Sequence, residues 1–494
     1  MPVLSWRGDL AALVCRAVDD QGSELLYRRI AADISSLIQE GALRPGDRLP
    51  SVRRTSRDRR VSVGTVLAAY LSLEKDGFVE ARPKSGHFVR RRHEAPTPLR
   101  RPRIKVAPAR ISVSTGVAAL MYSLREKSVL PLGSAVLAPE LLPIRALNRT
   151  LASIARETPV RGGGYEPPPG PPSLLHQLAR RSLTWGLTLE ADAFITTVGA
   201  TEAMHLCFRA LTKPGDTVVV HSPMYFGGLQ LLEELGLRVI EIPTLPGRGM
   251  DLDALRDALK KTPVRACLAI PNFDNPLGTC MSDEAKERMV RLLARHDVPL
   301  IEDDVYGDMA FDGSRPRPAK AFDRDGRVLL CGSVSKTLAA GYRVGWVVPG
   351  RYRALIERMK FSQTVATPTL PQLAVAEYLA GGGYDRHLRS VRNKLRPQVQ
   401  RYREAIALAF PRGTCVSDPG GGFVLWVEMP RQVDALGMQA EALRRGVAIA
   451  PGPIFSARQR YTNCIRISCG IPWSVRVDDA IATLGELAHA QMKS

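Results

Sequence analysis

Cys331-Gly332-Ser333-Val334-Ser335-Lys336-Thr337-Leu338-Ala339-Ala340-Gly341-Tyr342-Arg343-Val344-Gly345-Trp346 is the stretch from which the rest of the chain is read outward. Two hydroxyls stand just before a lysine, and an arginine follows seven residues later. An apolar run ending in such a turn brings four polar groups around one small volume. That set suits a phosphorylated aldehyde. The Lys336 amine can add to a carbonyl and form a Schiff base, while Ser333, Ser335 and Arg343 hold the phosphate, the arginine through a planar fork of donors.

Other apolar runs end in complementary groups. Ile195-Thr196-Thr197-Val198 passes into Gly199-Ala200-Thr201-Glu202, a strand, a small-residue turn and a helix start. Free N–H groups there form an anion site, so Ala200 and Thr201 would cap a phosphate. A run from Val218 leads through Pro223 to Tyr225, an aromatic placed to stack on a planar ring. Another, from Ala266, precedes Asn275-Pro276-Leu277-Gly278, where the Asn275 amide can donate to a phenolate oxygen. A third, from Val298, ends in Glu302-Asp303-Asp304-Val305-Tyr306. A carboxylate here, Asp303 or alternatively Asp304, would keep a pyridinium nitrogen protonated. Late in the chain Arg466 sits in an apolar strand, where pairing with a ligand carboxylate is the usual explanation.

In this order, over residues about 130 to 480, these motifs resemble the aminotransferase class I and II family. The resemblance implies pyridoxal 5'-phosphate as cofactor and an α/β PLP-dependent transferase fold of type I. That means strands and helices alternating around a mostly parallel sheet, with a smaller α+β subdomain from about residue 366. Carried over by position, it makes Lys336 the Schiff-base lysine and Asp303 the partner of the ring nitrogen. Asn275 and Tyr306 would meet the ring hydroxyl, Tyr225 the ring face, and Ala200, Thr201, Ser333, Ser335 and Arg343 the phosphate. Lys336, Asp303 and Tyr306 are the candidate catalytic set, and Arg466 takes an effector carboxylate. Gly164-Tyr165 resembles the family's segment whose tyrosine reaches across a dimer to the partner's cofactor phosphate. Leu175-His176 departs from the usual Leu-Arg of that segment, which touches its helix and not Tyr165.

The chain carries 69 Lys and Arg against 49 Asp and Glu, a net +20. Residues 1–110 hold half of that excess in under a quarter of the length, the footprint of a polyanion partner. Eight cysteines are scattered without a CxxC pair, mostly in apolar runs. That usage speaks for reduced thiols in a cytoplasmic protein and against a disulfide or metal framework. No run approaches the roughly 20 apolar residues of a membrane span, and acidic residues flank the short apolar patch Leu10–Val14, unlike a signal peptide.

The basic end has its own pattern. Leu26, Ile30, Ile34, Leu37 and Ile38 form a helical stripe that Gly41 stops. A short helix from Ser51 to about Arg59, a turn at Arg60-Val61 and a helix from Ser62 to Gly77 make a helix-turn-helix, with Ser62 as N-cap and Val66, Ala69, Tyr70 and Leu73 inward. Two short strands around Arg82-Pro83-Lys84-Ser85-Gly86 add a basic wing. Leu49-Pro50-Ser51-Val52-Arg53, Val61-Ser62 with Thr65-Val66, and Gly86-His87-Phe88-Val89 resemble the GntR family of DNA-binding domains. The resemblance implies that Arg53, Ser62, Thr65 and the wing residues Lys84, Ser85, Gly86 and His87 contact double-stranded DNA. Val63 and Gly64 depart from it, since members often carry an arginine or polar residue there, and so does Thr55-Ser56-Arg57-Asp58 in place of the usual Leu-Ala.

Residues 93–128, rich in Pro and Arg, read as a semi-rigid tether. The expected order is an N-terminal extension (1–22), a winged helix (23–92), the tether, and an aminotransferase-like body (129–494). That architecture resembles MocR-type transcription regulators. It implies a homodimer, commonly head-to-tail, in which the cofactor or its adduct with a small amino compound alters DNA binding. The fold then serves as an effector sensor. The alternative is a working aminotransferase with an accessory DNA module, since each chemical group an enzyme needs is present.

Overall fold

In the computed structural model the chain divides into two units, Met1–Glu94 and Ala95–Ser494. Residues 26–493 are described apart from 41, 45, 76–77, 83–84, 90–96, 103, 124–125, 127 and 159–161. The expected extension 1–22 and Lys84 of the wing lie outside the described residues.

In the first unit, α1 (Leu26–Gln39) buries Ile30, Ile34 and Ile38, while Leu26, expected in the same stripe, is exposed at its first turn. α2 (Val52–Arg59) is capped by Ser51 Oγ, which accepts the Arg54 N–H, and is stopped by Arg60 in the left-handed region (φ 53°). α3 (Val63–Lys75) is capped by Ser62 Oγ, which accepts the Thr65 N–H at 3.0 Å. The buried Tyr70 hydroxyl donates to the Pro50 carbonyl at 2.8 Å and lies 2.8 Å from Thr55 Oγ1, which locks α3 against α2. β1 (Val79–Arg82) and β2 (Gly86–Val89) pair antiparallel as the wing.

In the second unit an eight-stranded sheet is built from β3 (Ile195–Val198), β4 (Thr217–Ser222), β5 (Arg238–Leu245), β6 (Gly249–Met250), β7 (Ala266–Ala269), β8 (Leu300–Asp303), β9 (Val328–Ser333) and β10 (Val344–Val348). Their order is β3-β10-β9-β8-β7-β4-β5-β6. From β9 to β5 the strands are parallel; β10 runs antiparallel to both neighbours. β3 therefore points the same way as β9. Helices cover both faces, so β4, β7, β8 and β9 are buried along their whole length and read as continuous apolar runs.

A smaller antiparallel sheet follows, β11 (Cys415–Val416), β12 (Val424–Glu428), β13 (Ala450–Pro451) and β14 (Cys464–Ser468), in the order β11-β12-β14-β13. It is backed by the helices Gly383–Ala409, Ala435–Arg444 and Val475–Lys493. Leu130 to Gly133, well before this subdomain in sequence, joins it through main-chain bonds to Gly446 and Ala448.

The expected tether differs from the structure. Thr97 bridges to Cys415, Ala109 pairs with Val239 on β5, and Arg101 forms an ion pair with Asp251. α4 (Ser114–Ser123) buries Val117 and Leu120, and its start is held by Glu233, which accepts the Val113 and Ser114 N–H groups. The segment hides this in the sequence because its apolar residues meet the body at isolated points and set up no period before Val113. Among the described residues no helix is long and apolar enough to cross a membrane.

Candidate functional site

The strand directions explain why distant motifs meet. The carboxyl ends of β3, β4, β7, β8 and β9 share one edge of the sheet, and antiparallel β10 starts there. At that edge ligand sites of open α/β sheets form. It collects Gly199 after β3, Tyr225 after β4, Asn275 after β7, Asp303 at the end of β8, Ser333 at the end of β9 with Ser335 and Lys336 after it, and Arg343 before β10.

Lys336 Nζ donates to the Ala135 carbonyl at 2.7 Å and stands 5.9 Å from the centre of the Tyr306 ring. Burial, with the nearby Arg466 and Arg343 charges, lowers its ammonium to about 8, against the pull of Asp303. The buried Asp303 carboxyl is pushed up to about 7 by burial and by Asp304, and its Oδ1 has no hydrogen-bond partner. Asp304, the alternative acid, is engaged: Oδ2 accepts from Arg315 and Oδ1 from Asn272 Nδ2 at 2.9 Å. Of the two carboxylates Asp303 is the one with an oxygen left unpartnered.

Tyr306 is buried with its hydroxyl unpartnered, and burial raises its phenol. Asn275 Oδ1 accepts from Arg466 Nη1 at 3.1 Å, which leaves the Asn275 amide hydrogens for an acceptor beside Tyr306. Arg466 alternates with Ile465 and Ile467 along β14, so it leaves the subdomain core those two enter. Its Nη2 donates to the Gly133 carbonyl, its Nε has no partner, and no carboxylate pairs with it among the described residues. Burial lowers this guanidinium to about 10. A buried, charge-bearing fork without a counter-ion is costly unless an anion completes it.

The phosphate-side residues are preorganised. Ser333 Oγ lies 2.7 Å from Ser335 Oγ and donates to the Val344 carbonyl at 2.9 Å; Ser335 Oγ accepts from Arg343 Nη1 at 3.1 Å. Arg343, at φ 54°, also donates to the Val198 carbonyl at 3.2 Å. Beside it starts α5 (Gly199–Leu211), whose first turn includes buried Ala200 and exposed Thr201. Gly199 has φ +74°, and a Cβ there would run into the Arg343 guanidinium. Free helix N–H groups, two hydroxyls and a guanidinium in one cup form an anion site. Tyr225 folds over Gly227, where a Cβ would stand 2.5 Å from the ring; burial raises its phenol, Asp303 adds to that, and Arg466 and Arg343 oppose it.

Tyr165 is the one residue of the set that stays apart, 83% exposed. Three contributors lie outside the set expected from the sequence. The Gly133 and Ala135 carbonyls are main-chain groups. Glu202 Oε2 accepts the Val198 N–H at 2.6 Å and Lys360 Nζ at 2.8 Å, bracing the start of α5; an acid in a helix's first turn was the only clue. In the first unit Arg53, Ser62, Ser85 and Gly86 are exposed and Thr65 partly so, while His87 is half-buried and packs edge-on against Tyr70 at 5.0 Å.

The donor set fits pyridoxal phosphate: an orphaned carboxylate, an orphaned phenol, a low-set lysine amine and an anion cup line one sheet edge. Fold and site together define a fold type I, PLP-dependent transferase body joined to a winged helix. Residues 144–476 match the family described as aminotransferase class I and II, and residues 26–89 match the bacterial regulatory proteins of the gntR family. The chain belongs to the aminotransferase class I and II family and carries a GntR domain at its N-terminal end. The uncharacterized HTH-type transcriptional regulators YjiR and YdcR of Escherichia coli are 37% and 36% identical to it, each over 94% of this chain and 99% of their own length. Among solved structures, a multiple substrate aminotransferase from Thermococcus profundus superposes with a TM-score of 0.71 at 27% identity, covering 76% of this chain and 95% of its own. LysN, the α-aminoadipate aminotransferase of Thermus thermophilus, gives 0.71 at 27% over 77% and 98%.

Proposed function

We propose that this chain is a cytoplasmic transcription regulator that binds double-stranded DNA through its winged helix. Its large unit reports the presence of PLP, or of a small amino acid joined to it, to that DNA grip. The names of YjiR and YdcR, similar across both units, support the regulator reading. The observation that carries the sensor is Arg466, a buried guanidinium with an unpartnered Nε and no carboxylate partner among the described residues, in the same site as Lys336.

In this reading Lys336, Asp303, Asn275, Tyr306, Tyr225 and the Ser333–Ser335–Arg343–Ala200–Thr201 cup hold the cofactor, with Tyr165 serving the second copy in a head-to-tail homodimer. When bound, PLP supplies an aldehyde that condenses with amines and a ring that accepts an electron pair. Asp303 Oδ1 holds the proton of the ring nitrogen, and Asn275 and Tyr306 orient the ring oxygen. Lys336, losing its proton readily, is the amine nearest at hand. Arg466 clamps the ligand's carboxylate and, being tied to Asn275 and Gly133, transmits its presence to the small subdomain. A ligand can shift DNA affinity only by its differential affinity for two poses of the protein, and the carboxylate clamp is the differential contact.

Turnover is the competing reading, favoured by the complete donor set. Incubation with amino and keto acids separates the two: a single stalled ligand that changes DNA affinity supports the sensor, and steady exchange of amino groups without any change in DNA affinity contradicts it.

A further inference from the structure

From Ser62 to Glu74 the second helix and its cap contain no Arg, Lys, Asn, Gln or His. Those are the side chains that grip purine edges in the major groove. What α3 turns to solvent instead is Val63, Leu67 and Leu71, 50%, 44% and 53% exposed, four residues apart on one stripe. The two hydroxyls at its start partly satisfy each other, Ser62 Oγ lying 2.7 Å from Thr65 Oγ1. Gly64 adds no side chain, and a Cβ there would meet nothing nearer than Ser62 Oγ at 3.7 Å, so the backbone can approach a partner closely.

We propose that Val63 reads a thymine methyl, so that the base pair beneath the start of α3 is specified as A·T by apolar contact. The inference rests on the DNA-binding reading above and deepens it. Exposed Arg53, Arg54 and Arg57 on α2 and exposed Arg60 in the turn lead directly into this helix, a run of positive charge that suits a polyanion. The exposed stripe of α3 itself is aliphatic. The base edges of the major groove offer one apolar group, the C5 methyl of thymine. Arginines on phosphates fix the register, and Val63, with Leu67 one turn behind, reads the methyl.

The test selects duplexes from a random library with the full-length protein, then replaces single thymines of the selected site by uracil, which removes the methyl and leaves the hydrogen-bonding edge unchanged. The expected result is a site with A·T pairs that weaken about fourfold per methyl removed, the transfer value of one buried methyl. Val63→Ala should bind thymine and uracil duplexes alike, and Val63→Arg should select guanine at that position. Val63 is half exposed, so both variants should melt with the parent. Uracil duplexes bound as tightly as thymine duplexes, or an unchanged methyl dependence in Val63→Ala, overturns the proposal. So does selection that returns no motif, and salt-sensitive binding to any duplex would then leave the DNA-binding reading standing. No binding to any duplex overturns both.

Discussion

Arg466 on β14 and Asn275 after β7 are joined by a 3.1 Å hydrogen bond from Nη1 to Oδ1, which ties the small antiparallel sheet to the ligand edge of the large one. The same guanidinium has an unpartnered Nε, and among the described residues no carboxylate pairs with it. A carboxylate arriving here both neutralises a buried charge and stiffens the joint between two parts of the body.

Arg466→Met should therefore separate two activities. Cofactor loading, followed by absorbance, should persist. Affinity for amino acid ligands, followed by titration of the loaded protein, should fall by about a hundredfold or more, the usual cost of removing one partner from a buried charge pair. Equal losses of both would show that Arg466 holds the fold and not the ligand.

Lys336 sets a pH window. Its folded value of about 8 lies below the roughly 10.4 of a free lysine. Cofactor attachment needs the neutral amine, so the loading rate should rise with a midpoint near pH 8. Between these two values the unfolded chain binds the extra proton, so this group makes the unloaded protein more stable as pH rises through that window. A loading midpoint near 10 would contradict the burial account.

Asp303 gives the opposite sign. Its carboxyl, near 7 when folded against roughly 3.9 when free, holds a proton in the folded state that the unfolded state has lost. Its contribution is present at pH 4 and lost as pH rises through 7. Unloaded Asp303→Asn should match the parent at pH 4 and exceed it at pH 8 by roughly 2–4 kcal/mol in denaturant unfolding. The same variant should hold PLP more weakly, because the orphaned acceptor for the ring proton is gone.

Gly345 faces β3 where the phosphate cup is assembled, and a Cβ there would stand 2.5 Å from the Gly199 carbonyl carbon. Backbone against backbone cannot yield cheaply. Gly345→Ala should lower PLP affinity more than tenfold in equilibrium titration, whereas Gly341→Ala, whose Cβ meets nothing within 4 Å, should not.

On the DNA side, Arg53 is exposed and lies on the short helix before the turn. As a phosphate contact its loss should weaken binding to all duplexes alike and reduce the salt slope by about one. A sequence-selective loss would instead make it a base contact.

Much of this was legible because side-chain chemistry was concentrated at strand ends. Asp303 and Tyr306, or Ser333, Ser335 and Lys336, each lie within one strand-to-turn segment, and parallel strands bring such segments to one edge. Residue type alone does not separate Asp303 from Asp304; the resemblance picks Asp303 by its spacing from Tyr306, and the engagement of Asp304 by Arg315 and Asn272 is visible only in the tertiary contacts. The Gly133 and Ala135 carbonyls were invisible because main-chain acceptors have no residue type. Residues 93–128 read as a tether because single anchors, such as Arg101 on Asp251, follow no period.

The central claim is that the amine of Lys336 couples ligand occupancy to DNA binding. The most direct measurement is the affinity of full-length Lys336→Ala for its own upstream DNA, by gel shift, with and without PLP and candidate amino acids. The account predicts basal binding equal to the unloaded parent and no response to any addition; a ligand response of parental size in that variant would contradict it.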